Sequence, residues 1–308
     1  MTLLTSEARG VFVIAVTPFT DQGAIDFDSL DRVTDFYLER EADGLTILGM
    51  MGEAPKLTQP EARAVAQRVI ARAGGRPVVV GVSASGLAGI GELSSAVMDM
   101  GAAGVMVAPP ASLKTDAQIL GYFAQAAQAA GAGVPVVLQD FPLATGVHID
   151  PGLIGRIVDA VEQVVMLKHE DWPGLSKVTA LREAEARGQR RLSILCGNGG
   201  LFLPEEVGRG ADGAMTGFAY PEMLVDVVRA ASSGQMDRAQ DLFDAYLPLV
   251  RYEQQPGLGL AVRKHVLARR GAIASPALRQ PGAPLTPRAV AEVERLMERQ
   301  DRRLKEIA

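Results

Sequence analysis

Short apolar segments alternate with longer amphipathic segments along most of the chain. Eight of the short segments are nearly continuous in Val, Ile, Leu, Met and Ala, with little polar alternation: 11–16, 44–48, 77–82, 104–108, 134–139, 164–168, 191–197 and 211–216. Such runs are typical of strands in a parallel sheet, because both faces of those strands are buried. The pattern therefore predicts eight parallel strands.

The amphipathic segments between these strands carry helix start and stop signals. They cover 27–40, 59–73, 87–100, 116–130, 151–161, 174–187 and 203–209. Thr58, Thr115 and Asp150 precede three of them as N-cap residues. A glycine follows four of them at the position where helices commonly end: Gly74, Gly101, Gly131 and Gly188. We therefore expect a helix after each of the first seven strands.

Eight strands joined by right-handed helical crossovers can close into a (β/α)8 barrel. An open doubly wound sheet is the alternative, but it normally has a glycine-rich phosphate turn after its first strand. Here Thr17-Pro18-Phe19 occupies that turn. We predict an α/β fold with a (β/α)8 TIM barrel over residues 1–233. After Thr216 the chain shows only helical patterns, near 221–232, 237–254, 258–270 and 287–305. Residues 234–308 are therefore predicted to form a C-terminal helical domain.

Composition and charge narrow the possible partners. The 308 residues are 48% hydrophobic, with a formal net charge of −5 and no basic block. Nucleic-acid binding through a broad basic field is therefore not expected. The single cysteine, Cys196, excludes an internal disulfide and fits a reducing compartment. Without a visible signal peptide or a membrane-spanning apolar run, we expect a cytoplasmic protein that acts on a small molecule.

Lys168 is the most informative residue at a strand end, which is where (β/α)8 barrels place their active sites. In a barrel mouth the ammonium loses hydration, which lowers its pKa and makes the amine a nucleophile. Such an amine forms a Schiff base with a ketone or an aldehyde. The alternative is that Lys168 reaches to the rim or pairs with Glu170 or Asp171.

Other strand ends supply candidate binding groups. Gly49 and Gly52 flank Met50 and Met51 after the second strand, where exposed backbone N–H groups can hold a carboxylate. The alternative there is an ordinary tight turn. Four further candidates lie at the ends of the fifth, seventh and eighth strands: Gln139, Asp140, Asn198 and Thr216. A helix cap at Asp140 and a flexible turn at Asn198 are the alternatives.

The histidines and the cysteine do not form a metal-binding pattern. His148, His169 and His265 are dispersed, and no His-x-x-x-His spacing occurs. Cys196 lies inside a strand pattern, where core packing is the expected role. We therefore predict neither a metal site nor a cofactor.

Four motifs in register resemble the dihydrodipicolinate synthase / N-acetylneuraminate lyase family. They are Gly10-Val11-Phe12-Val13 with Thr17-Pro18-Phe19, Gly49-x-x-Gly52-Glu53, Val165-Met166-Leu167-Lys168 and Gly210-Ala211-Asp212-Gly213. The resemblance runs from residue 10 to about residue 270. It implies a homotetrameric (β/α)8 barrel with a helical C-terminal domain and an imine-forming Lys168. A dimer remains the alternative to the tetramer.

The sequence also departs from the family pattern. The two hydroxyl residues of the Gly-x-x-Gly-Glu loop are Met50 and Met51, and the family tyrosine on the fifth strand aligns with Gln139. An amide has no accessible pKa and cannot replace a phenol as acid or base. The arginine that binds the aldehyde substrate aligns near Ala144, and the tyrosine lent by a neighbouring subunit aligns near Ala111. These departures argue against synthesis of dihydrodipicolinate.

The segment Gln139-Asp140-x-Pro142 resembles the branch that contains L-2-keto-3-deoxyarabonate dehydratase. We therefore predict a class I (Schiff-base) lyase acting on a small 2-keto acid, a dehydratase or aldolase of a 2-keto-3-deoxy sugar acid. Lys168 forms the imine, backbone N–H groups of Met51 and Gly52 hold the carboxylate, and Gln139 bonds the carboxylate or carbinolamine. The distal hydroxyls are assigned to Asp140, Asn198 and Thr216. The proton transfers of a dehydratase are left to Lys168 itself, to water or to Asp140, so Lys168, Gln139 and Asp140 are the catalytic candidates. The alternatives are dihydrodipicolinate synthesis, a non-catalytic keto-acid-binding barrel and a metal-dependent aldolase.

Overall fold

The computed structural model describes residues 2–172 and 174–307. Eight parallel strands form a closed barrel in chain order, and β8 pairs with β1 to complete it. The strands are β1 Gly10–Ile14, β2 Gly44–Ile47, β3 Val78–Gly81, β4 Gly104–Val107, β5 Val136–Asp140, β6 Val164–His169, β7 Ser193–Cys196 and β8 Gly213–Ala214. Closure confirms the predicted TIM barrel and excludes the open sheet.

Twelve helices surround or follow the barrel in the described part of the chain. They are α1 Phe27–Glu39, α2 Gln59–Arg72, α3 Leu87–Met100, α4 Asp116–Ala130, α5 Pro142–Thr145, α6 Pro151–Ala160, α7 Leu175–Ala186, α8 Leu203–Gly208, α9 Pro221–Ser232, α10 Met236–Glu253, α11 Gly259–Arg269 and α12 Pro287–Glu306. The hydrophobic pattern missed only α5, which is too short to show a helical period. Thr58 caps α2 in a reciprocal capping box with Glu61, as its position predicts.

Most strands divide their side chains between two apolar clusters. Alternate residues point outward to the helices, and the others fill the barrel interior, because successive strand side chains face opposite ways. The inner cluster contains Phe12, Ile14, Val79, Met106, Val137, Met166, Leu195 and Met215. Gln139 and Lys168 therefore share the inner face with Val137 and Met166. Asp140 and His169 share the outer face with Leu138 and Leu167.

The C-terminal helices continue the outer packing of the barrel. Helix α10 packs against α9 and α12, and one apolar cluster includes side chains from the outer barrel face, α10 and α11. The predicted division between residues 233 and 234 is thus not marked by a break in the core and stays a prediction. Within the described ranges, no helix has the length and apolar character needed to cross a membrane.

Candidate active site

Lys168, Glu170 and Gln139 meet inside the mouth of the barrel. Strand pairing sets Gln139 opposite Lys168. Nζ of Lys168 lies 2.8 Å from Oε2 of Glu170, and Nε2 of Gln139 donates to the same oxygen at 2.7 Å. All three residues are buried, with Lys168 only 5% exposed. The structure therefore places Lys168 in the barrel mouth and pairs it there with Glu170 rather than at the rim, while its Schiff-base role stays a prediction.

Glu170 is a candidate functional residue that the sequence interpretation treated only as an ion-pair partner. It follows Lys168 by two positions, so strand alternation directs both side chains to the same face. A Cβ added at Gly197 would lie 2.1 Å from Cγ of Glu170, so glycine leaves the room that Glu170 occupies. Nδ2 of Asn198 donates to the backbone oxygen of Glu170 at 3.1 Å. Spacing from Lys168 is the signal that identifies this glutamate.

The arrangement can transfer a proton. Oε2 of Glu170 is within hydrogen-bond reach of the Lys168 amine, and Oε1 accepts no hydrogen bond from any described side chain or backbone group. A buried carboxylate beside a buried amine is the pairing that general acid–base catalysis at a nucleophilic lysine requires. Gln139 orients this carboxylate and does not itself carry a transferable proton.

The loop after β2 presents backbone donors, but not the predicted pair. Residues Met50–Gly52 form a single 3-10 turn, in which the N–H of Gly52 donates to the Gly49 oxygen at 3.0 Å. The N–H groups of Met50 and Met51 find no acceptor among the described residues. The turn uses the Gly52 donor, so Met50 and Met51, rather than the expected pair Met51 and Gly52, have N–H groups without an acceptor among the described residues. Carboxylate binding by this loop stays a prediction.

A cavity of about 580 Å³ opens beside these groups at the carboxyl ends of β2 to β5. Met50 and Gln139 line it, whereas Met51 packs against the inner barrel cluster. The other lining includes Ser83 and Gln59 and a mostly apolar wall with Met106. Among the described residues, no charged side chain lines this cavity. The cavity therefore suits the uncharged part of a small molecule that extends away from Gln139.

Asp140 lies on the other side of the barrel wall. Its Oδ2 accepts from Nζ of Lys177 on α7 at 2.7 Å, and its side chain is completely buried. Burial raises the pKa of Asp140 to about 6, although the Lys177 charge acts in the opposite direction. Contrary to the sequence-based expectation, the structure separates this carboxylate from Lys168, because adjacent strand residues face opposite ways.

Asn198 and Thr216 have partners within the protein. Asn198 binds the Glu170 backbone, as described above, and it adopts a left-handed φ of 50°. Oγ1 of Thr216 accepts from the N–H of Gly199 at 2.8 Å. The structure thus shows these residues shaping the loop after β7. Their predicted contacts with the distal hydroxyls of a substrate stay predictions.

The remaining titratable residues do not assemble into a metal centre within residues 2–172 and 174–307. No three His, Cys, Asp or Glu side chains there are grouped as a metal ion would require. Cys196 is buried on the outer face of β7, and burial raises the pKa of its thiol well above the ordinary value.

The fold and the site define a (β/α)8 barrel with a buried lysine at the end of β6, and sequence comparison identifies its family. The profile described as the Dihydrodipicolinate synthetase family matches residues 7–300. The chain belongs to this family and is a lyase.

Three relatives show the range of this likeness. L-2-keto-3-deoxyarabonate dehydratase of Azospirillum brasilense is 30% identical over 303 residues, 96% of each chain. The 4-hydroxy-tetrahydrodipicolinate synthase of Methanococcus vannielii is 29% identical over 247 residues, 79% of this chain and 82% of that one. A crystal structure described as dihydrodipicolinate synthase from Rhodopseudomonas palustris superposes with a TM-score of 0.96 and 57% identity, covering 97% of this chain and 100% of that one.

Proposed function

We propose that this chain is a class I lyase that forms a Schiff base with a small 2-keto acid. The observation that carries the proposal is the buried Lys168–Glu170–Gln139 group at the barrel mouth. Glu170 accepts a proton from the Lys168 ammonium, and the resulting amine attacks C2 of the keto acid. Return of a proton expels the C2 oxygen as water and leaves a protonated imine on Lys168.

Glu170 takes the acid–base role that Gln139 cannot perform. The imine withdraws electrons from the bond between C3 and its hydrogen, so a carboxylate can remove the C3 proton. The resulting enamine expels the C4 hydroxyl, which leaves as water with a proton returned by Glu170. Neither step needs a phenol at the position of Gln139. We infer from this that the reaction is dehydration of a 2-keto-3-deoxy sugar acid, with no cofactor.

The N–H groups of Met50 and Met51 support a carboxylate-binding role for the loop after β2. Both lack an acceptor among the described residues, and Met50 lines the adjacent cavity. Backbone donors need no hydroxyl side chains to hold a carboxylate. The two methionines therefore do not remove the site that the family loop implies.

Dihydrodipicolinate synthesis is the second candidate, and it is favoured by the 57% identity to the Rhodopseudomonas palustris chain, which carries a synthase description. The cavity argues against it. Aspartate semialdehyde carries an ammonium and a carboxylate, whereas no charged side chain among the described residues lines the cavity.

Borohydride trapping tests the proposal directly. The protein is incubated with pyruvate, L-2-keto-3-deoxyarabonate and other 2-keto-3-deoxy sugar acids, reduced, digested and analysed by mass spectrometry. We expect the adduct mass on Lys168, none in Lys168→Met, and an unchanged adduct in Lys114→Met, which removes an exposed lysine. No adduct on Lys168 with any of these acids would overturn the proposal.

Turnover assays separate the alternatives. Release of water from the keto-deoxy acid indicates a dehydratase, release of pyruvate indicates an aldolase, and consumption of aspartate semialdehyde indicates a synthase. Binding without turnover, unchanged in Lys168→Met, would indicate a non-catalytic barrel. Loss of activity on chelation would indicate a metal-dependent aldolase. The cytoplasmic location and the homotetramer or dimer stay predictions, and sedimentation measures the latter.

A further inference from the structure

Lys177 forms a buried charge cluster directly behind the candidate active site. Its Nζ, on α7, lies 2.7 Å from Oδ2 of Asp140 and 2.8 Å from Oδ2 of Asp171, and it donates to the backbone oxygen of Ile149 at 2.6 Å. Lys177 is 7% exposed and does not line the cavity beside Gln139. These three contacts bring together the end of β5, the loop after β6 and the segment before α6.

The partners of Lys177 are the chain neighbours of the site residues. Asp140 directly follows Gln139, and Asp171 directly follows Glu170. The inner side chains meet at Oε2 of Glu170, while the outer carboxylates meet at the ammonium of Lys177. The backbone connects the two groups, since the N–H of Glu170 donates to the oxygen of Asp140 at 2.9 Å.

We propose that Lys177 is a positioning residue that clamps Asp140 and Asp171 outside the barrel and thereby sets the distance between Glu170 and Lys168 inside it. The inference rests on the proposed function and adds a residue outside the cavity to it. Proton transfer depends steeply on distance, and a displacement of about 1 Å can lower a rate about 10²-fold. Glu170 lies in the loop after β6, outside the strand, so its position depends on contacts such as those of Lys177 with Asp140 and Asp171.

Two carboxylates face the ammonium of Lys177, and His169 is a further titratable neighbour. Burial and, to a smaller extent, the Lys177 charge lower the pKa of His169 to about 4, so this neighbour is neutral near pH 7. Burial alone would raise the pKa of Asp171, but its hydrogen bond with Lys177 holds the pKa below the ordinary value. Asp140 and Asp171 thus anchor one cation between two elements.

The experiment uses Asp171→Asn and Lys177→Met, with Glu183→Gln as the matched control on α7. The Asp171 side chain is 23% exposed and that of Glu183 is 64% exposed, so Glu183→Gln measures the effect of an acid-to-amide change outside the cluster. We expect kcat on the trapped 2-keto acid to fall about 10-fold in Asp171→Asn and about 10²-fold in Lys177→Met, with KM within twofold. The control keeps the wild-type kcat.

A double variant, Lys177→Met with Asp140→Asn, distinguishes positioning from simple charge balance. It removes the unpaired carboxylate, so its unfolding midpoint should recover relative to Lys177→Met, while its kcat stays low because Asp171 is still unclamped. Recovery of kcat together with stability would overturn the inference, as would a wild-type kcat in Asp171→Asn. Failure of the proposed function is distinguishable, because the wild-type protein would then show no borohydride adduct on Lys168.

Discussion

Two buried lysine–glutamate pairs lie at the carboxyl end of this barrel, and they are built differently. Lys168 and Glu170 are 2.8 Å apart, and Lys264 and Glu53 are 2.6 Å apart. All four residues are buried. Lys168 and Glu170 lie beside the cavity that Gln139 lines, whereas Lys264 and Glu53 connect helix α11 to the loop after β2. Similar separations thus occur in different surroundings.

The Lys264 pair has a full set of partners. Nζ of Lys264 also donates to the backbone oxygen of Ala277 at 2.9 Å and lies 4.5 Å from the ring centroid of Phe19. Glu53 additionally accepts from Nζ of Lys56 at 2.7 Å and from the backbone N–H of Arg279 at 3.1 Å. Burial lowers the pKa of Lys264, and Glu53 opposes that change.

The Lys168 pair has few partners by comparison. Among the described side chains, Gln139 and Lys168 are the partners of the Glu170 carboxylate, and Glu170 is the ion-pair partner of Lys168. A buried ion pair whose hydrogen-bonding groups are all satisfied stabilises the contact between two elements, because breaking it leaves an uncompensated buried charge. A sparsely partnered pair keeps its lone pairs and protons available for substrate. The count of partners, rather than burial or distance, separates the structural pair from the candidate catalytic one.

Substitution of Glu170 should have the largest effect. Glu170→Gln keeps the shape and the backbone contact but removes the titratable group, so we expect turnover to fall by about 10² to 10⁴-fold. Steady-state kinetics measure the loss, and circular dichroism checks that the fold is retained. Turnover within threefold of wild type would show that Glu170 is not the acid–base group.

Substitution of Lys264 should act on stability instead. Lys264→Met leaves Glu53 with an incomplete set of donors, and breaking a buried pair costs about 3 to 5 kcal/mol. Urea unfolding at pH 7 measures this free energy. Activity per folded molecule should remain within a few-fold of wild type. A loss below about 1 kcal/mol would contradict the structural role assigned to the pair.

Gly197→Ala should have an intermediate effect on activity. The added Cβ would lie 2.1 Å from Cγ of Glu170, so the carboxylate must move away from Lys168. We expect kcat to fall about 10 to 10²-fold, as a displacement of this size predicts. Gly121→Ala is the matched control, because no atom lies within 4 Å of its added Cβ. Equal kinetics in both variants would refute the steric reasoning.

The smallest expected effect is on the pH dependence of stability, through the ion pair of Glu61 with Arg279, whose backbone N–H contacts Glu53. The hydrogen bond from Arg279 lowers the pKa of Glu61 to about 2, below its ordinary value of 4.5. Because the folded pKa is depressed, this stabilisation is present above about pH 4.5 and is lost as pH falls towards 2. Urea unfolding from pH 7 to pH 3 should therefore show a shallower decline in Glu61→Gln than in wild type. Identical slopes would contradict the assignment.

The repeating pattern was sufficient to predict the architecture. All eight apolar runs became strands, because a strand buried on both faces must be apolar regardless of its neighbours. Helix boundaries followed from local chemistry, as the capping box of Thr58 and Glu61 shows. Lys168 was identifiable for the same reason: a lysine that ends an apolar run in a barrel is placed at the mouth by the strand itself.

The amino-acid sequence by itself determined the barrel, the helix limits and the lysine, since each depends on residues close together in the chain. The spacing of Glu170 from Lys168 predicts a shared face, but only the tertiary structure decided that their charged groups lie 2.8 Å apart and that Asp140 pairs with Lys177 of α7, 37 positions away. It also brought Lys264 to Glu53 across 211 positions. Contacts at such separations are set by packing of the whole chain, and no local pattern encodes their distances.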